Sequence, residues 1–160
     1  MLLLAASDVT LFRMAVPPLP AARLHAALPA LVEDRVIGDP EACAIAAGAE
    51  LDGQRTIAVT DRAWLQQWLA VLRSLGARRI AALPLQLCLP LPAGQVSAAL
   101  IDLSGTLELV LRTSPEEGLG LPVDTAATAA TAEAGSPQAL IDAVMSLLAT
   151  FTGGRPVQMA

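Results

Sequence analysis

The chain contains no lysine and no tyrosine, and its 160 residues include only one histidine, two cysteines, two phenylalanines and two tryptophans. Each scarcity removes a class of chemistry. Without lysine there is no lysine Schiff base and no P-loop of the usual kind, whose lysine reaches the bound phosphates. Any Ser-His-Asp or Cys-His machinery would have to be built around His25, and no partner stands near it in sequence. His25 instead flanks an apolar stripe, an ordinary place for a surface or half-buried imidazole. Cys43 and Cys88 lie far apart in apolar surroundings, which predicts buried thiols outside any disulfide in a reducing compartment. One histidine and two such cysteines make no zinc set, so no metal and no cofactor are expected. Basic charge is sparse as well. All 10 cations are arginine, only Arg78 and Arg79 are adjacent, and 15 acids bring the net charge to −5. That leaves no electrostatic footprint for nucleic acid.

Apolar residues, at 54%, dominate what is present. A chain of this length suits one domain or two small lobes, and it can bury a core without disulfides or metal. Residues 80–101 carry no charge over a length that could span a membrane, but Pro84, Pro90, Pro92 and Gly94 break the run. Met1 to Ala6 lacks a basic flank and reaches Asp8 too soon for a secretory signal. The chain is therefore expected to be cytosolic.

Along the chain, the β-formers from Val9 to Val16 end at Pro17-Pro18 and predict a strand. Pro20 then opens a helix whose Leu24, Leu28, Leu31, Val32 and Val36 recur at threes and fours until Gly38, with a kink expected at Pro29. The runs Glu41–Ala49 and Arg55–Thr60, separated by a Gly-bearing connection, predict a hairpin. Asp61 is a natural N-cap for a helix carrying Trp64, Leu65, Trp68, Leu69, Leu72 and Leu75, stopped by Gly76. Arg79–Leu83 predicts a further strand. Together these give a ferredoxin-like βαββαβ unit within residues 1–83, with both helices expected on one face of its sheet. A Pro-rich connector, 84–94, leads to residues 95–160: a hairpin of 95–103 and 106–113 around Ser104-Gly105, a mobile Ala/Thr loop at 125–135, and a last helix capped by Ser136-Pro137.

Few constellations could carry chemistry. Glu33-Asp34 and Glu116-Glu117 are adjacent acids whose side chains diverge, so neither pair forms an acid/base couple. Trp64 and Trp68 share a helical face and predict core or interface anchors, with burial on the apolar stripe expected. The hairpin Asp102-Leu103-Ser104-Gly105-Thr106 has a partial likeness to the phosphate hairpins of actin-like ATPases. That makes Asp102, Ser104, Gly105 and Thr106 the nucleotide-binding candidates, beside the simpler reading of an ordinary β-turn.

Four segments carry a broader resemblance: the proline-containing Arg23-Leu24-His25-Ala26-Ala27-Leu28-Pro29-Ala30-Leu31-Val32-Glu33-Asp34-Arg35-Val36, the helix entry Asp61-Arg62-Ala63-Trp64-Leu65-Gln66-Gln67-Trp68-Leu69, the passage from Leu83 to Pro92, and Val110-Leu111-Arg112-Thr113. In this order they resemble the cytoplasmic region of type II secretion system protein L. The resemblance implies part of an actin-like (RNase H-like) α/β domain and a non-catalytic scaffold on the cytoplasmic side of the bacterial inner membrane. It also implies recruitment of the secretion ATPase, protein E. In the intact protein, contacts with platform protein M and pseudopilus-related components follow, and a homodimer stays open. The family's first strands, membrane span and periplasmic domain are expected to lie outside this sequence, leaving sheet edges bare. Glu33, Asp34 and Arg35, charged residues beside an apolar stripe, are the expected partner-binding residues. A related actin-like pilus-assembly protein and a nucleotide-binding actin-like ATPase or switch remain the alternatives. His25→Ala is expected to leave the chain's behaviour unchanged. A hydrolase, transferase or redox activity lost on that substitution would overturn the non-catalytic reading.

Overall fold

Three leucines open the chain as a short strand in the computed structural model, which describes residues 1–103, 105–123 and 137–160. Two units follow in sequence, Met1–Pro84 and Leu85–Ala160. The first contains β1 (Leu2–Leu4), β2 (Thr10–Met14), α1 (Ala21–Leu31), β3 (Cys43–Leu51), β4 (Gln54–Asp61), α2 (Arg62–Ser74) and β5 (Ala82–Pro84). β4 lies between β2 and β3 and runs antiparallel to both, so β2 and β3 are parallel strands joined through α1. This is the split βαβ arrangement expected from the sequence. The fourth strand departs from the ferredoxin pattern: β5 pairs in parallel with β1, residue 2 opposite 82, instead of extending the three-stranded sheet. Leu2–Leu4 supplies that partner, and three residues are too few to announce a strand by alternation.

Local chemistry sets the elements. Asp52 and Gly53 both have positive φ, 53° and 73°, and Leu51 faces Gln54, so the β3–β4 hairpin closes on the two-residue turn that Asp-Gly favours. The helix expected to reach Gly38 stops at Leu31, and a 3-10 turn, Glu33–Arg35, replaces its last turns. Pro29 lies inside α1, where it removes a donor to the His25 carbonyl and its ring crowds that turn, and the helix continues two residues beyond it. On α1, Leu24, Leu28 and the following Val32 close over Ile57 and Val59 of β4, with Phe12, Met14 and Ile45 around them. α2 begins where expected, the Asp61 carboxylate accepting from the Trp64 amide at 2.6 Å, and ends on Gly76 at φ 90°. None of its residues is fully buried, and none belongs to this core.

The second unit contains β6 (Val96–Leu103), β7 (Thr106–Ser114), β8 (Glu117–Pro122), α3 (Pro137–Thr152) and β9 (Val157–Met159) in a sheet ordered β8-β7-β6-β9. The expected β6–β7 hairpin is present, with Leu103 opposite Thr106. The segment read as a connector carries the 3-10 turn Leu85–Cys88. Arg112 ties it to the hairpin, donating to the Leu89 carbonyl at 2.6 Å and to Ser114 and Pro115 carbonyls at 3.3 and 3.1 Å. Ala98, Leu109, Leu111 and Val123 of the sheet side pack against Ala143 and Leu148 of α3. The Ser136 cap and the 125–135 loop lie outside the described residues.

β8 and β9 were not expected. Gly118 and Gly120 erase the β-former signal of β8, and Gly118 is required by packing. A Cβ there would stand 2.5 Å from the Leu111 carbonyl oxygen and 2.8 Å from Gln86 Cβ. The cysteines are not buried either: Cys43 is half-buried, its thiol donating to the Asp39 carbonyl at 3.6 Å, and Cys88 is exposed; neither forms a disulfide. Gly118→Ala is expected to cost about 1–3 kcal/mol in urea unfolding, the usual range for overpacking. A loss below about 0.5 kcal/mol, typical of an open surface position, would displace β8 from this packing.

Candidate functional site

The first unit carries a cleft where β4 ends, β3 begins and β2 has just started. Its volume is about 430 Å³. Sequence order explains its composition. Asp8 ends the 3-10 turn before β2, and Arg35 comes from the 3-10 turn that follows α1. Asp39 caps the 3-10 turn Pro40–Ala42, while Thr60 and Asp61 finish β4. Phe12, Val36, Ile37 and Val59 add apolar wall.

Within it, the Asp39 carboxylate accepts from the Glu41 amide at 2.9 Å, and Asp61 from the Trp64 amide at 2.6 Å, in each case through Oδ1. The Arg35 guanidinium rests 5.9 Å from the centroid of the Phe12 ring, a cation–π contact. The Thr60 hydroxyl is buried and has no hydrogen-bond partner. Of the expected partner-binding residues, Arg35 lines the cleft. Glu33 and Asp34 are exposed on the same turn outside its lining.

The nucleotide candidates sit in the second unit. Asp102 is exposed and its Oδ1 accepts from the Gly105 amide at 2.6 Å, closing the turn with Gly105 at φ 91°. Thr106 is exposed at the start of β7, and Ser104 lies outside the described residues. A phosphate would need the Gly105 amide that Asp102 already occupies. His25 is exposed on α1. Among the described residues no group of three His, Cys, Asp or Glu side chains could hold a metal ion. No helix among them is long and apolar enough to cross a membrane.

Sequence reasoning placed tryptophan burial on α2; the structure instead leaves Trp64 half-buried and Trp68 48% exposed, with Val71 and Leu75 at 49% and 78%. The stripe is present at its helical spacing, but among the described residues only part of it is covered, with Trp64, Leu65, Leu69 and Leu72 half-buried. α3 divides its stripe in the same manner. Ala139, Ala143 and Leu148 are buried, while Ile141, Met145 and Phe151 stand exposed. Between α3, Leu100 and Met159 runs an apolar groove of about 600 Å³. The acidic cleft was missed altogether, because its three carboxylates come from separate turns and strand ends; the only local signals were the N-cap residues Asp39 and Asp61.

A family model described as type II secretion system (T2SS), protein L, matches residues 1–148. Among curated proteins none matches the chain. Among solved structures, the chain is similar to the cytoplasmic domain of EpsL, an inner membrane component of the type II secretion system of Vibrio cholerae. The identity is 27% and the TM-score 0.64, over 82% of this chain and 53% of that one. The chain thus spans about half the length of the solved domain. The mixed α/β, actin-like fold class expected from the sequence is the one this likeness carries. Trp68→Ala is expected to cost about 1 kcal/mol or less of stability, because a half-exposed indole forfeits little burial. A measured loss near the ~3–5 kcal/mol of a core tryptophan would place α2's stripe inside a packed layer.

Proposed function

The chain belongs to the type II secretion system protein L family, and from that premise we propose that it is a cytoplasmic docking scaffold. In this reading it recruits the secretion ATPase, protein E, to the inner-membrane platform and catalyses nothing itself. The observation that carries the proposal is the bare apolar face of α2, with Trp68, Val71 and Leu75 all about half exposed or more. Such a face costs free energy in water and is recovered only against a partner. Tryptophan is also the residue type most enriched among the few that dominate interface energetics. Glu33, Asp34 and Arg35, exposed on one turn of the same unit, supply the charged rim that steers a partner.

Platform protein M and the pseudopilus-related components belong to the reading of the intact protein, since their contacts are assigned to parts of the family beyond the cytoplasmic region. The nucleotide alternative gains nothing from the Asp102 turn, whose amide is already satisfied.

Binding kinetics against the N-terminal domain of the cognate ATPase test the proposal. Wild-type chain should bind. Trp68→Ala should raise Kd about tenfold or more, as at an interface anchor. Reversing Glu33 and Asp34 to Arg should slow association about tenfold at low salt and flatten its salt dependence, with circular dichroism unchanged. Absence of wild-type binding would remove the ATPase-recruiting role. Unchanged association after the double reversal would move the rim elsewhere.

A further inference from the structure

α2 leaves uncovered a seam that is more specific than a bare apolar face. Trp64, Trp68, Val71 and Leu75 follow one another at steps of four, three and four, the a/d rhythm by which one helix packs along another. Trp64 is half-buried at the start of the seam, and exposure rises from Trp68 at 48% to the C-cap Leu75 at 78%. Leu65 and Leu72, on one border, are half-buried, while Gln67 and Ser74, on the other, are exposed. The uncovered apolar strip is therefore a single line of side chains, the width of a helix–helix seam.

Charge at the exposed end of the seam fixes the chemistry of its occupant. From Arg62 to Ile101 the sequence holds no acid, although the chain as a whole carries net −5. Arg73, on the last turn of α2, and Arg78 and Arg79, just past the Gly76 stop, are all exposed. Among the described residues, none of these three side chains enters a hydrogen bond or an ion pair. Leu75 thus stands within a few residues of three unpaired guanidiniums, a group whose fork matches a carboxylate. A second copy's α2 brings no carboxylate, since its only charges are Arg62 and Arg73. A nucleic acid would answer the arginines but leave the tryptophan seam in water. A bilayer surface takes a broad apolar face, and this strip is one side chain wide. We propose that α2 docks an amphipathic helix of a protein partner, one that lays an apolar stripe along the Trp64–Leu75 seam and brings carboxylates to Arg73, Arg78 and Arg79. The proposal deepens the docking reading above and rests on it only for the source of that helix.

Two synthetic helices test the occupant without any natural partner: an amphipathic peptide with leucine at every a and d position and glutamate on its flanks, and the same peptide with lysine for glutamate. Titrated into the full chain and followed by amide NMR, the glutamate peptide should shift residues 64–79, and the lysine peptide about fivefold more weakly or not at all. Trp68→Ala should weaken the glutamate response about tenfold, and joint Arg78→Glu and Arg79→Glu about fivefold, with circular dichroism unchanged. Equal responses to the two peptides, or shifts outside the seam, overturn the proposal. Self-association of the chain that Trp68→Ala abolishes would overturn it in favour of a second copy. Attachment to phosphatidylglycerol vesicles that the arginine reversals abolish, with no response to the glutamate peptide, would overturn it in favour of a bilayer. In the ATPase binding assay the arginine reversals should slow association about tenfold at low salt. Wild-type kinetics there would overturn the proposal and leave ATPase recruitment standing. A chain that answers the glutamate peptide but does not bind the ATPase would retain the seam and discard the ATPase as its partner.

Discussion

Closure of α1 onto the three-stranded sheet is the contact on which the first unit depends. Leu24, Leu28 and Val32 bury against Ile57 and Val59, and Val32 and Ile57 lose all their exposure. Side chains of this size contribute roughly 1.5–3 kcal/mol each on full burial, and few other contacts in this unit are as dry. Everything at the cleft follows from where that helix is allowed to end. It ends at Leu31, the turn Glu33–Arg35 follows, and Arg35 comes to rest over Phe12 while Glu33 and Asp34 are exposed.

The second unit depends on a different constraint, the close approach of three strands around β7. Leu109, Val110 and Leu111 are completely buried, so β7 is covered on both faces. Gly118 lets β8 and the turn at Gln86 approach it without a side chain between them. α3 then covers only part of the opposite face, because its buried positions are mostly small, Ala139 and Ala143. The larger Ile141 and Met145 are left to line an open groove.

In both units, then, a core is made by one side of a helix while apolar or acidic surface stays uncovered. In a member of the protein L family, that uncovered surface is what the docking proposal draws on. The side chains that usually carry reactions are scarce in the sequence and scattered in the fold, His25 on α1 and Cys88 on a separate turn of the other unit.

What the sequence determined by itself were the features encoded within a few residues. The two hairpins, the Asp61 cap, the strand–helix–strand–strand order and the ordered family segments were all legible, because turn chemistry, capping and periodicity act locally. Only the tertiary structure decided the rest. Whether an apolar stripe is core or surface depends on what lies across from it, so Trp68 could not be placed from its spacing. β1, β5 and β9 are too short to announce themselves and exist only through their partners. β8 hides behind glycines that its packing demands. The acidic cleft gathers Asp8, Asp39, Thr60 and Asp61 from distant stretches of chain, and no local pattern records which strand ends will meet.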